Sequence, residues 1–395
     1  MGIQPVRTKV AGELLFISHV YGDGGGQNIN VRNWANGFVQ RGYKVHVLYN
    51  TQDQSEAERY ESGLHLFPVY HKWSAVADLF PSISFRMMAA AQHLISSNEI
   101  DLVSFHSLYR LPASLAAWYC RLNGIPVVAT SHVARTWGGD SINFAAMALG
   151  WINGHISSAN TAVGPLAGTP LGKDVTTIWN SVDRELFDPE SPQVAEKAGV
   201  FKKEYGLEGK AVVFCPARIT PAKGQMDLLL AVEELRNNGK DFILVLAGRE
   251  DPDYTENLRK YALEAGLSES LLILGMLAQK DMPSIYKAAD IIALASHHAE
   301  GIPAVALEAF AMKTPFIGYD SGGTRDIVHN GQNGLLLNEH DVPSLAQGLS
   351  DLMENRPLRA RIIKAASRNI ESDAFTLNGV LDRLEEVFLR FISRP

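Results

Sequence analysis

Short apolar runs recur from end to end of the chain, separated by longer stretches in which apolar positions return every three or four residues. The runs read as buried strands. Leu14–Ser18, Val45–Tyr49, Leu102–Phe105, Val127–Thr130 and Thr161–Gly164 form a first series, with a helix over Val31–Gln40. Ala211–Cys215 starts a second, continued by Phe242–Ala247, Leu271–Leu274, Ile291–Ala295 and Pro315–Tyr319. Near-continuous hydrophobic strands alternating with helices predict parallel sheets covered on both faces. The segment Asn180–Glu208, with Pro189, Pro192 and a run of charges, reads as the linker between the series. The fold class is therefore α/β, two Rossmann-like doubly wound domains. Leu377–Ile392 places Val380, Leu381, Leu384, Val387, Phe388 and Phe391 along one helical side, which must dock on an apolar surface.

Length agrees: 395 residues suit two domains. A composition of 46% hydrophobic and 20% charged residues excludes a disordered chain. The formal net charge of −7 argues against a nucleic-acid partner. Only Cys120 and Cys215 occur, so neither a disulfide scaffold nor a four-cysteine zinc site is available, and both thiols are expected in apolar cores. Ser18 and His19 interrupt the first apolar run before it reaches signal-peptide length, and Val6 stands where a myristoylation signal requires Ser or Thr. Ile142–Ile152 is too short to span a bilayer. These features predict a cytoplasmic protein.

In sheets of this kind ligands bind beyond the carboxyl ends of the strands. Four such places carry candidate chemistry. Tyr21-Gly-Asp-Gly-Gly-Gly26 follows the first strand, where glycines allow close backbone approach and the next helix offers N–H groups to an anion. It lacks the dinucleotide-fingerprint spacing and reads equally as a flexible turn. Arg218 and Lys223, at the equivalent place in the second series, suit a diphosphate, whose charge they offset without a metal. Glu300-Gly-Ile-Pro303-Ala-Val-Ala-Leu-Glu308 combines a helix start at Pro303 with two carboxylates. The amides of Gly301 to Ala304 would form an anion site there, and carboxylates are acceptors suited to sugar or ribose hydroxyls. In so apolar a helix an unpaired Glu308 would be costly, so a bound partner is expected for it. His132 ends another strand, with Trp137 near enough in sequence to stack on a sugar. Two patterns are read as decoys. Asp251-Pro-Asp253 has the form of a metal-holding pair but is better read as a helix start at Tyr254. The adjacent His297 and His298 cannot face one ion as an i, i+4 pair does.

Taken together and in order, these segments resemble the retaining nucleotide-sugar glycosyltransferases of the GT-B fold, family four, or group 1. Glu300 and Glu308 match the E-x7-E motif, and Arg218 and Lys223 the diphosphate-binding pair. Gly25-Gly26 match the first-domain glycine pair, placed by their distance to Arg41-Gly42-Tyr43. Asn180-Ser-Val-Asp183 is similar to the N-G-V-D segment at the domain junction, with serine in place of glycine. Asn30 stands where many relatives carry histidine, and Asp326 where glutamate is usual.

The resemblance implies an acceptor domain over residues 1–185, a nucleotide-sugar domain over 186–373 and a helix over 374–395 that packs back on the first, with a central cleft that closes on the donor. It implies that Glu308 holds ribose hydroxyls, Glu300 a hydroxyl of the transferred sugar, and Arg218, Lys223 and amides near Gly26 and Ile302 to Ala304 the diphosphate. Met276 would meet the base, and His132 would approach the sugar. No metal or cofactor is implied. Retention is attributed to attack from the leaving-group face, so no glycosidase-type carboxylate pair is required. A UDP-sugar and a hexose are expected on family frequency. The acceptor is open between a soluble polyol such as an aminocyclitol, met by Asp23, Asn30, Trp137 and Asp140, and a lipid-linked or polysaccharide acceptor. Ser82–Asn98 offers only Arg86 as a fixed cation, which disfavours a strongly membrane-bound form. A hydrolysing nucleotide-sugar epimerase and a non-catalytic scaffold are the competing readings.

Overall fold

The computed structural model describes residues 11–18, 21, 26–61, 63–70, 82–106, 111–132, 152–157, 175–297 and 300–392. These fall into two compact units. The first comprises the described residues up to Trp179 together with the helix Leu377–Ile392, and the second comprises Asn180–Thr376.

In the first unit, β1 (Glu13–Ser18), β2 (Lys44–Thr51), β3 (Arg59–Glu61), β4 (Leu64–Tyr70), β5 (Leu102–His106), β6 (Val127–Ser131), β7 (Gly154–Ser157) and β8 (Val175–Thr177) form one sheet. Its order is β3-β4-β2-β1-β5-β6-β7-β8, parallel except where β3 meets β4. The strands read from apolar runs at Leu14–Ser18, Val45–Tyr49, Leu102–Phe105 and Val127–Thr130 are present, each extended by one to three residues. β4 escapes that reading because His65 and Pro68 interrupt its apolar run. The strand expected at Thr161–Gly164 lies outside the described residues.

The helix Leu377–Ile392 completes this unit. Val380, Leu381, Leu384, Val387 and Phe388 are buried with Phe16, Trp34 and Phe38, and the rings of Phe388 and Phe38 stack at 5.3 Å. Each such side chain contributes about 2 kcal/mol by leaving water. Arg41 anchors the exposed edge, pairing with Asp382 at 2.6 Å and Glu385 at 2.7 Å, while Tyr43 donates to Glu385 at 2.8 Å.

The second unit holds β9 (Ala211–Pro216), β10 (Phe242–Ala247), β11 (Leu271–Ile273), β12 (Ile291–Leu294), β13 (Phe316–Tyr319) and β14 (Leu335–Leu337). All pairs are parallel, in the order β11-β10-β9-β12-β13-β14. The segment expected as a linker instead contains a helix, Pro192–Glu204, which starts on a proline behind Ser191, whose hydroxyl caps Val194 N–H. Prolines and charges there mark a helix start and a solvated face rather than an unstructured connection. The division falls between Trp179 and Asn180. The Asn180 amide already donates to Ile302 O at 2.6 Å, and Val182 N–H to Phe375 O at 3.0 Å, both within the second unit.

Strand order reverses between β9 and β12, so the loops after these two strands part company there and leave a crevice. Gly224 locks the loops together. Its φ is +66°, and a Cβ on it would lie 1.8 Å from Ala295 O. His297 N–H donates to Ala222 O at 3.0 Å across the same junction. Gly224→Ala must therefore separate two backbones as well as strain its own. It should lower the melting temperature of the second unit by several degrees and leave the first unit's transition in place, as differential scanning calorimetry would show; an unchanged thermogram would refute this packing.

Candidate active site

Two strand ends build the site. After β9 the chain passes Arg218, makes a short 3-10 turn over Pro221–Lys223 and enters the helix Gln225–Asn237 through Gly224. After β12 it runs through Ser296 and His297 to Glu300, then into the helix Ala304–Ala311. Because β9 and β12 are neighbours, Lys223 meets Glu300, and its ammonium donates to Glu300 Oε1 with both side chains 13% exposed. Ser296 Oγ donates to the same oxygen at 2.6 Å and lies 3.1 Å from Ala222 O. Gly323 N–H donates to the carbonyl of Glu300 at 2.8 Å, so the loop after β13 also holds this residue. Arg218 is exposed, and among the described residues no carboxylate pairs with it.

Gly301, Ile302 and Pro303 are buried, and Pro303 is the N-cap of Ala304–Ala311 with no side-chain acceptor over the helix start. The first N–H groups of such a helix have no intrahelical partner and carry the positive end of its dipole. The Asn180 amide pins Ile302 from below. The pair Lys223–Glu300 is close to neutral, so Arg218 and these amides set the positive character of the crevice.

One helical stretch further on, Glu308 is largely enclosed and accepts a hydrogen bond from Tyr286 O–H. The sequence reading expected a ligand to be its partner. The structure supplies an internal one instead, from the helix Met282–Ala288. Burial pushes the Glu308 carboxyl up to about 7, against the opposing effect of the Tyr286 hydroxyl, which favours the charged form. Tyr286 is itself driven well above its ordinary range by burial beside that carboxylate.

Asp227, on the helix Gln225–Asn237, centres a second network. Tyr319 donates to Asp227 Oδ2 at 2.8 Å, while His297 Nε2 and His340 Nδ1 stand 3.5 and 3.9 Å away. Asp227, His297 and His340 offer ligand atoms within 4.8 Å of one another. The two imidazoles, however, stack face to face at 3.9 Å and 10°, so their in-plane lone pairs run parallel rather than converging on one ion. Among the described residues only Tyr319 hydrogen-bonds Asp227, and the two histidines stand beside it stacked on each other. Asp251 accepts from Tyr254 N–H at 3.1 Å and caps the helix Pro252–Glu264, as its position suggests.

The other expected residues are distributed as follows. Met276 is exposed, just beyond β11 and after Gly275, whose carbonyl accepts from Gly248 N–H at 2.8 Å. His132 directly follows β6, and Asn30 is buried in the helix Gly26–Gln40, which begins at Gly26; all three belong to the first unit. Asp23, Gly25, Trp137 and Asp140 lie outside the described residues. Ser296 and Tyr286 were not singled out by the sequence. A serine after an apolar strand carries no distinctive signal, and Tyr286 lies 22 residues from Glu308 with no spacing to link them. Cys120 and Cys215 are buried and unpaired, their thiols pushed up to about 12 by burial.

Residues 199–369 match the family described as glycosyl transferases group 1, and residues 24–163 match glycosyltransferase family 4. A GDP-mannose-dependent alpha-(1-6)-phosphatidylinositol monomannoside mannosyltransferase of Mycobacterium tuberculosis is 28% identical over 73% of this chain and 74% of its own. An alpha-D-kanosaminyltransferase of Streptomyces kanamyceticus is 25% identical over 47% of each chain. Among solved structures, a glycosyltransferase from Rickettsia africae superposes with a TM-score of 0.78 at 18% identity, over 97% of this chain and 99% of that one. Anabaena Alr3699/HepE in complex with UDP and glucose superposes with a TM-score of 0.76 at 19% identity, over 96% of this chain and all of that one. Both halves of the chain and the fold thus point the same way, and the protein belongs to the group 1 glycosyltransferases of the GT-B fold.

Proposed function

We propose that the protein transfers a hexose, with retention, from a nucleoside diphosphate sugar to a hydroxyl of a polyol acceptor. The Lys223–Glu300 pair at the switch point carries this reading. It puts a cation, a carboxylate and a helix start within one crevice, beside an exposed arginine. Arg218, Lys223 and the amides of Ile302 to Ala304 hold the diphosphate and stabilise the charge that develops on it as the glycosidic bond breaks. Lys223 exchanges part of its contact with Glu300 for phosphate, which frees Glu300 to accept from a hydroxyl of the sugar. Glu308 accepts from the ribose diol, and Met276 adjoins the base. Fixed cations and backbone dipoles suffice here for the role that a divalent metal takes in other transferases. A diphosphate oxygen takes the acceptor proton on the leaving-group face.

The base is best sought between GDP and UDP. The mycobacterial relative is named for GDP-mannose, whereas UDP follows from family frequency and from the ligand of the Anabaena structure. The acceptor is a cyclitol-like polyol, free or lipid-linked. The kanosaminyl- and phosphatidylinositol-directed names of the relatives support one form each. Incubation of UDP-glucose and GDP-mannose with free inositol, with an aminocyclitol and with phosphatidylinositol vesicles tests the reading. A glycosylated product supports it, and epimerised sugar formed from the donor alone replaces it with the epimerase.

Lys223→Ala leaves Glu300 buried without its cation, a loss of about 3 kcal/mol. Lys223→Met combined with Glu300→Gln should restore most of that stability in chemical denaturation yet turn over donor at least about a hundredfold more slowly. A stable double variant with near-native turnover would remove both residues from the site.

Glu308 sets the acid limb of the pH profile. Ribose binding requires its carboxylate form, so donor affinity should fall as pH drops through about 7. Tyr286→Phe deletes the hydroxyl that favours the charge and should move this limb to higher pH, measured as the Kd of the nucleoside diphosphate between pH 5.5 and 9. Stability follows the opposite sign. A carboxyl whose value is raised on folding weakens the fold as pH rises from about 4.5 to about 7, by about 3 kcal/mol. Glu308→Gln should therefore flatten that loss in the second unit's thermal transition; a variant that melts with the native pH dependence would contradict the assignment.

A further inference from the structure

Polar groups buried in the first unit gather at the ends of β5 and β6, next to that sheet's own switch point between β1 and β5. His106 ends β5, and its Nδ1 lies 3.1 Å from Nε2 of His132. The two ring centroids are 5.4 Å apart at 22°, so the imidazoles sit side by side, as an in-plane N–H···N bond requires, rather than face to face. Ser104 Oγ stands 3.3 Å from the other nitrogen of His106. Phe16 and Trp34 pack against the His106 ring at 5.1 and 5.5 Å, and Trp34 also covers His132 at 5.6 Å. His132 is 9% exposed, and its Nδ1 is buried without a hydrogen-bond partner among the described residues. The hydroxyl of Thr130, two residues earlier at the end of β6, is likewise without a partner among the described residues.

We infer that His106 is a positioning residue: it holds His132 by Nε2, so that Nδ1 is the ring atom left for a hydroxyl of the bound sugar. This rests on the reading that His132 meets the donor sugar. Burial keeps both imidazoles neutral, and each therefore carries a single N–H. The chain Ser104–His106–His132 can then run in only two directions. If Ser104 donates to His106, then His106 donates to His132 and the free Nδ1 is a donor. If His106 donates to Ser104, then His132 donates to His106 and Nδ1 is an acceptor. Either way Nε2 is occupied and the ring cannot flip without breaking the bond. A sugar hydroxyl both donates and accepts, so it satisfies either state and ends the cost of the orphaned nitrogen.

The test uses the full chain with whichever of UDP-glucose and GDP-mannose is turned over faster. His106→Phe keeps the packing against Phe16 and Trp34 but removes the bond; it should lower kcat/KM by about tenfold or more while the Kd of the nucleoside diphosphate stays native. His106→Gln, which restores a polar group, should recover most of the loss. The His106→Phe, His132→Ala double variant should be no slower than His132→Ala alone, because the first residue acts through the second. The imidazole 15N shifts of His132 should change in His106→Phe, and this can be read without substrate. Additive losses, His132 shifts unaltered by His106→Phe, or no recovery in His106→Gln overturn the inference while leaving the proposed transfer intact. Native turnover in His132→Ala overturns it at its root, by removing His132 from the reaction.

Discussion

A single ion pair organises the second unit. Lys223 and Glu300 come from loops that diverge at the point where strand order reverses, and such loops have no reason of their own to stay together. The pair joins them, and the junction is reinforced by Gly224 packed on Ala295 and by the bond from His297 N–H to Ala222 O. Two charges taken out of water repay that cost only when their geometry is good and the remaining lone pairs are used. Here Ser296 uses the carboxylate and three strand-end loops hold its backbone or side chain. The result is a crevice whose charged groups are fixed by their own protein partners, the condition on which stabilisation by preplaced charge depends.

The two glutamates of the same segment are therefore unlike. Glu300 faces an ammonium, whereas Glu308 has only a phenol, and enclosure raises its carboxyl to about 7. A carboxylate enclosed in this way loses stability whenever it is ionised. Strain of this kind is characteristic of binding sites and is offset by packing elsewhere. The helix Ala304–Ala311 is nearly all apolar apart from Glu308, which leaves the rest of its surface free to bury.

The first unit handles its buried polarity through histidine pairs. His106 and His132 share a bond near the carboxyl ends of the strands. His46 and His65 share one 2.7 Å long toward the other end of the sheet, flanked by Glu13 at 2.6 Å and Glu58 at 2.8 Å. The second pair is satisfied at both ends, whereas the first leaves Nδ1 of His132 open.

Periodicity alone determined most of the architecture: apolar runs such as Phe242–Ala247 and Ala211–Cys215 coincide with strands because strands buried on both faces need no polar alternation. The spacing of Arg218, Lys223, Glu300 and Glu308 likewise placed them at neighbouring strand ends of one sheet, since each lies beyond a strand or in the helix that follows one. What the chain could not reveal by itself were the partners. Tyr286 reaches Glu308, Ser296 reaches Glu300 and His106 reaches His132 through folding of segments whose spacing carries no shared signal. The strands β14 and β4 escaped for a related reason: the three leucines of β14 are too short a run to stand out, His65 and Pro68 interrupt β4, and the place of each is set by the neighbour it pairs with. Secondary structure follows from local hydrophobic period, but the proton and charge state of a site depends on which side chains enclose it, and only the tertiary structure decides that.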